Sequence, residues 1–245
     1  MLRHRDALEV TTRVTAPPAR AVPGFERWVA RSVPPDGDVL NIGGGCDRSG
    51  EPRRVRRRAG RLVVVDPSDQ VEHNLTADER HHCTLEEFAA ATDERFDLAF
   101  AVFVLEHVRD PASFTRAAAR VLRPGGVLMA LTVNQWHYFG LAGLVSTRTG
   151  MSEWVLSHVR DPESVADYHV PTEYRLNSTA RVSRELERAG FSAVEYRMWD
   201  LPDMYRPYLP RPVRGLADVW HEAAYRLHAP QLMGHLTFKA TRGTS

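Results

Sequence analysis

Residues 39–50 read VLNIGGGCDRSG, an apolar run that stops at three consecutive glycines. Twenty-one positions after the last of them, RLVVVD (61–66) ends in Asp66. Short apolar runs rich in β-branched residues read as buried strands. Glycine at a strand end admits positive φ and lets a ligand approach the backbone. In a doubly wound sheet, ligands bind outside the carboxyl ends of the strands, and an acid there accepts hydrogen bonds from a ribose diol. The two stretches are expected to form half of a nucleoside crevice. The dinucleotide pattern G-x-G-x-x-G is not completed, because position 48 is Arg, and no G-x-x-x-x-G-K-[ST] occurs. A phosphate-free nucleoside is therefore favoured, with a nucleotide-dependent oxidoreductase as the alternative.

The surrounding pattern alternates strands and helices. Residues 1–23, with Pro17, Pro18 and Pro23, read as an irregular N-terminal arm. GFERWVARSV (24–33) spaces Phe25, Trp28, Val29 and Val33 along one helical face, and Pro34-Pro35-Asp36-Gly37 stops it. Ser49 and Pro52 mark a helix start and Gly60 its end. Strands are expected in 81–85, 96–105, 126–133, 193–199 and 234–241, and helices in 111–122 and 178–190. That alternation predicts a mostly parallel sheet with helices on both faces, the last two strands pairing antiparallel. The aromatic, proline-rich stretches 134–177 and 200–233 lack a clean period. They are expected to cover the site as lid or substrate-binding insertions within a single domain, 1–245.

A chain of 245 residues with 43% hydrophobic and 26% charged residues has globular composition. A net charge of +1 argues against bulk affinity for nucleic acid. Two cysteines, Cys46 and Cys83, suit a reducing compartment. A charged N-terminus where a signal peptide needs an apolar core, and no run long enough to span a membrane, lead to the expectation of a cytoplasmic protein. The run RRVRRR (53–58) reads as a solvated helix face with Val55 and Ala59 turned inward. His73, His81, His82 and Cys83 match no zinc spacing, so no metal is expected.

FDLAFAVFVLEHVRDPASFTRAAARVLRPGGVLMALTVN carries, in order, Asp97, Leu105-Glu106-His107-Val108, Asp110-Pro111 and Leu122-Arg123-Pro124-Gly125-Gly126. This run resembles the class I S-adenosylmethionine-dependent methyltransferases, and within them the small-molecule branch related to quinone biosynthesis. The resemblance extends over roughly residues 36–200. It implies a Rossmann-like doubly wound α/β fold with a seven-stranded sheet, mostly parallel with an antiparallel last strand. It implies S-adenosyl-L-methionine as cofactor. Carried over position by position, Gly43, Gly44 and Gly45 border its methionine portion and Asp66 takes the ribose hydroxyls beside Pro67. Cys83, Thr84 and Leu85 flank the adenine, and Ala101 and Val102 contact the methionine moiety. Asn41 departs from a usually acidic position, losing a charge that would attract the cofactor's ammonium.

Methyl transfer from a sulfonium needs alignment and, for a phenol or alcohol, a base. His107, after the fourth expected strand, is the first candidate; His137 and Tyr138, after the fifth, are the others. His107 could equally cap the following helix together with Glu106. The expected activity is methyl transfer to a small-molecule acceptor, most plausibly O-methylation in secondary or saccharide metabolism. The rival is a protein of the same fold that binds S-adenosylmethionine without transferring methyl. The aromatics of 134–177 and 200–233 suit a partly apolar or ring-bearing acceptor, with Arg175 available for an acidic group. They would also suit a homodimer interface.

Overall fold

The computed structural model describes residues 7–46, 53–141, 172–206, 209 and 211–244. Eight strands form one sheet: β1 (Glu9–Val14), β2 (Asp38–Ile42), β3 (Arg61–Asp66), β4 (Glu79–His82), β5 (Phe96–Val102), β6 (Leu122–Val133), β7 (Phe191–Trp199) and β8 (His235–Arg242). Their spatial order is β1-β7-β8-β6-β5-β2-β3-β4. All neighbours run parallel except β8, which is antiparallel to both β6 and β7.

The strands alternate their side chains between two layers, because successive residues point to opposite faces. Leu40, Ile42, Val63, Val65, Ala99 and Ala101 face helices α3 (Leu85–Ala91), α4 (Pro111–Val121) and α5 (Thr179–Arg188), which contribute Phe88, Phe114, Ala118, Val182 and Leu186. Val39, Leu62, Leu98, Phe100, Met129 and Leu131 face α1 (Ala21–Ser32) and the short α2 (Arg53–Arg56), which contribute Phe25, Val29 and Val55. A sheet buried on both faces explains why its central strands read as continuous apolar runs.

Helix starts follow local chemistry. The Asp110 carboxylate accepts from the Ala112 and Ser113 N–H groups ahead of Pro111. Thr84 and Glu87 form a reciprocal capping box at α3. Ser178 caps α5, and Gly190, at φ +89, follows its end. Such caps contribute about 1 kcal/mol each.

Three expectations are corrected. The sheet has eight strands rather than seven, because the arm contains β1, a parallel edge strand on β7. Its residues are almost all exposed, so backbone pairing stabilises it and no apolar pattern announces it. Helix α1 begins at Ala21, inside the expected arm. The stretch 200–233 is not irregular: it holds α6 (Pro202–Tyr205) and α7 (Arg214–Arg226). Along α7 only the small Ala217 and Ala224 are buried, so its inward face shows no apolar stripe. The Ser49 cap, Pro52 and residues 142–171 of the expected first lid lie outside the described residues.

The charged residues of the recognised motif brace the sheet's far end. The Arg123 guanidinium, from the turn at the start of β6, pairs with Asp97 of β5 and, at 2.7 Å, with Asp38 of β2. Asp97 also accepts the Asp38 N–H at 2.8 Å. The RRVRRR run is a surface element: Val55 is fully buried and Arg56 pairs with Asp78 at 2.7 Å.

Candidate active site

Strand order places the carboxyl ends of β5, β2, β3 and β4 side by side. The glycine loop, Asp66-Pro67, Cys83-Thr84 and the segment from Val102 to His107 therefore share one rim. The loop leaves β2 with Gly43 at φ +69 and Gly45 at φ +44, conformations that glycine adopts freely. The Gly43 N–H donates to the Val65 carbonyl at 2.8 Å. A Cβ on Gly43 would lie 2.3 Å from Val104 Cγ2, and one on Gly44 would lie 2.5 Å from the Asn41 amide nitrogen. The loop is thus pressed between the segment after β5 and the Asn41 side chain, with no room for a larger residue.

Asp66 is buried and holds this loop as well as the turn that follows it. One carboxylate oxygen accepts the Gly45 N–H at 2.9 Å and the other the Ser68 N–H at 2.8 Å. A carboxylate has about four lone-pair positions, so capacity remains for hydroxyl donors. Asn74 completes the cradle. Its Nδ2 donates to the Gly45 carbonyl at 2.9 Å and its Oδ1 accepts from the Thr76 and Ala77 N–H groups, both at 3.1 Å. Sequence reasoning missed Asn74, because a polar residue in a loop carries no periodic signal.

The remaining cofactor candidates divide by burial. Pro67 is exposed, and its carbonyl lies 3.0 Å from His82 Nε2, tying the β3 and β4 ends together. Cys83 is half-buried; burial, with Glu87 nearby, pushes its thiol pKa up. Thr84 is occupied as a helix cap, while the Leu85 side chain points into the core. Ala101 is paired on both sides, with Ile42 and Ala130, whereas Val102 pairs only with Leu131 and so reaches the rim.

Beyond β5 the backbone turns sharply. Phe103 has φ +54, costly for a side-chain-bearing residue, and is held by its N–H bond to the Leu131 carbonyl at 2.8 Å. His107 is half-buried in the 3₁₀ turn Leu105–His107. Glu106 is buried, and its carboxyl accepts the Thr132 hydroxyl at 2.8 Å. Burial raises its pKa, with the Thr132 hydrogen bond opposing. Its carbonyl accepts the N–H groups of Glu173 and Tyr174, docking the segment that leads to α5. Arg175, a candidate for an acidic acceptor group, lies 3.2 Å from Glu173.

His137 and Tyr138 belong to a second cluster, built where β6 and β7 end and β8 begins. It includes Tyr205 and Trp220, two of the aromatics of 200–233 expected to cover the site, together with Asp200, His221 and His235, which sequence reasoning did not single out. The His137 ring is fully buried; its centroid lies 3.9 Å from Tyr138 and 4.8 Å from Tyr205. Burial pushes its pKa down to about 3 and that of Tyr138 up to about 12. Its Nδ1 accepts the Phe139 N–H at 3.4 Å, so the neutral ring carries its proton on Nε2. A ring so engaged is a poor base. Tyr205 bonds His235 Nε2 at 3.0 Å, and His235 meets the Phe103 ring edge-on at 6.4 Å. This cluster therefore abuts the segment after β5. Among the described residues no group of His, Cys, Asp and Glu could hold a metal ion, and no helix is long and apolar enough to cross a membrane.

A methyltransferase domain model matches residues 19–196. A ubiquinone biosynthesis O-methyltransferase of Parvibaculum lavamentivorans is 36% identical over 128 residues, 46% of this chain and 49% of that protein. One from Aromatoleum aromaticum is 46% identical over 75 residues, 31% of this chain and 29% of that protein. The chain thus spans about half the length of the first of these relatives and less of the second. Among solved structures, an Archaeoglobus fulgidus S-adenosylmethionine-dependent methyltransferase superposes with a TM-score of 0.57 at 14% identity, covering 90% of this chain and 92% of that one. A Thermotoga maritima S-adenosylmethionine-dependent methyltransferase, a possible histamine N-methyltransferase, gives 0.56 at 16%, covering 91% and 90%. The glycine cradle, the acid at the end of β3 and the matched domain agree: the chain belongs to the methyltransferase domain family and is, by family and fold, a class I S-adenosylmethionine-dependent methyltransferase.

Proposed function

We propose that the chain transfers a methyl group from S-adenosylmethionine to an oxygen of a small, ring-bearing acceptor, in secondary or saccharide metabolism. The observation that carries this reading is the cradle: a loop with Gly43 and Gly45 at positive φ, packed through Gly43 on Val104 and through Gly44 on Asn41, beside a buried carboxylate with lone pairs to spare. These residues fit the cofactor. Gly43–Gly45 would border its methionine portion and Asp66 its ribose, with Pro67 and Cys83 beside the adenine. When bound, the sulfonium supplies an activated methyl group.

The chain's own work is to align and to exclude water. Val104 is fixed against the glycine loop and Phe103 against Leu131 and His235, and the aromatic cluster around His137 walls the rim on the β6 side. His107 is the residue placed to take a proton from the acceptor, because it follows β5 on the same rim and is half-buried rather than sealed. His137, neutral and held at Nδ1, orients rather than deprotonates. Oxygen as the methylated atom is supported by relatives named O-methyltransferases. Calorimetry with S-adenosylmethionine, its demethylated product and NAD tests the cofactor: the first two should bind and NAD should not. Release of labelled methyl into a phenolic or sugar acceptor tests the activity.

Asn41 favours a second reading, cofactor binding without transfer. It is buried, with its amide beneath Gly44. If the missing charge limits affinity, Asn41→Asp tightens S-adenosylmethionine binding in calorimetry. A folded variant that binds less tightly would show that the amide N–H is itself used.

A further inference from the structure

We propose that Asp200, His137 and Tyr138 form a recognition site for a hydroxyl group on the acceptor, distinct from the hydroxyl that receives the methyl. This rests on the methyl-transfer reading and names the part of the acceptor that the β6–β7–β8 side of the rim selects.

The site stands on three polar atoms. His137 Nε2, Asp200 Oδ1 and the Tyr138 hydroxyl are each enclosed, and among the described residues none has a hydrogen-bond partner. His137 Nε2 and Asp200 Oδ1 face each other at 3.5 Å, too far for a good hydrogen bond. Each buried polar atom left without a partner costs about 1–3 kcal/mol, so three in one cluster call for a polar guest. The chemistry of the set names the guest. Asp200 Oδ1 only accepts, and the proton on His137 Nε2 can only be given. A group that gives one hydrogen bond and takes another satisfies both, and a hydroxyl does so. An ammonium would pair with Asp200 and leave the His137 N–H unmet.

The surroundings are built to hold that guest. Asp200 Oδ2 is fixed by His221 Nδ1 at 3.1 Å, which aims Oδ1 inward. A Cβ on Gly234 would fall 2.5 Å from Oδ1, so glycine at that position makes room for the carboxylate. The rings of Tyr205 and Trp220 pack on His137 itself, with centroids 4.8 and 5.9 Å from its own, and fix the direction of its Nε2.

The test uses phenol, anisole and benzylamine as probes, titrated by ligand-observed NMR with and without the demethylated cofactor product. Wild-type protein should prefer phenol to anisole by at least about tenfold, the effect of a hydrogen bond to a charged group. Asp200→Asn and Tyr138→Phe should erase that preference while leaving product affinity unchanged; the Tyr138→Phe variant keeps the ring and its packing. No phenol preference in wild type, no binding of any probe, or a preference intact in both variants overturns the site. The last result would mean that an internal water satisfies these atoms throughout. A preference for benzylamine would overturn the hydroxyl assignment. Failure of the demethylated product to bind would instead sink the cofactor reading, and the probe series run without it would still report on this site.

Discussion

Asn74 Nδ2 donates to the carbonyl of Gly45 at 2.9 Å, joining the loop after β3 to the glycine loop after β2. Asn74 is fully buried, so its amide has no water to fall back on. Asn74→Ala should lower stability by about 2–4 kcal/mol, the range for stranding several buried partners. It should also weaken binding of the demethylated cofactor product, because Gly45 loses its anchor. Thermal melting and calorimetry together check this; lost stability with unchanged affinity would confine Asn74 to folding.

Asp66→Ala should weaken S-adenosylmethionine binding by about 1.5–3 kcal/mol, the range for hydrogen bonds to a charged group. The variant also strands the Gly45 and Ser68 N–H groups. Asp66→Asn, which keeps an acceptor, should recover part of the loss. Equal affinity in all three folded proteins would remove Asp66 from the ribose site.

Arg123→Ala should cost about 1 kcal/mol of stability, since the guanidinium is partly exposed and solvent screens its pairs with Asp38 and Asp97. Cofactor affinity should not change, because the pair sits at the end of the sheet opposite the glycine loop. A calorimetric change in affinity would show coupling between the two ends.

The pH dependence follows from His137. Its pKa falls from 6.5 to about 3 on folding, because burial disfavours the charged ring. The unfolded chain therefore binds the proton first. Stability is fully present above about pH 6.5 and is lost as pH falls toward 3, at up to about 1.4 kcal/mol per unit. His235, also depressed by burial, acts in the same direction, whereas burial raises the Asp200 carboxyl, which opposes it. Denaturant unfolding of His137→Gln should show a shallower loss between pH 6.5 and 4 than wild type. Identical slopes would mean that His137 does not carry the acid sensitivity.

The sequence by itself determined the central sheet and its cofactor edge. β2, β3 and β5 are buried on both faces, so they had to be continuous apolar runs, and Gly43–Gly45 and Asp66 had to follow them at the strand ends. The starts at Asp110 and Ser178 rest on caps that act over three or four residues, which is why they are legible locally; Thr84, expected within a strand over 81–85, instead caps α3. Tertiary structure alone decided the rest. β1 exists because β7 offers it a backbone edge, not because its side chains are apolar. Asn74 matters because β3 and β2 are neighbours, and Asp200, His221 and His235 became one cluster only when β8 inserted antiparallel between β6 and β7. Those residues lie up to a hundred positions from His137, and the free energy that joins them comes from burial, which no local pattern records.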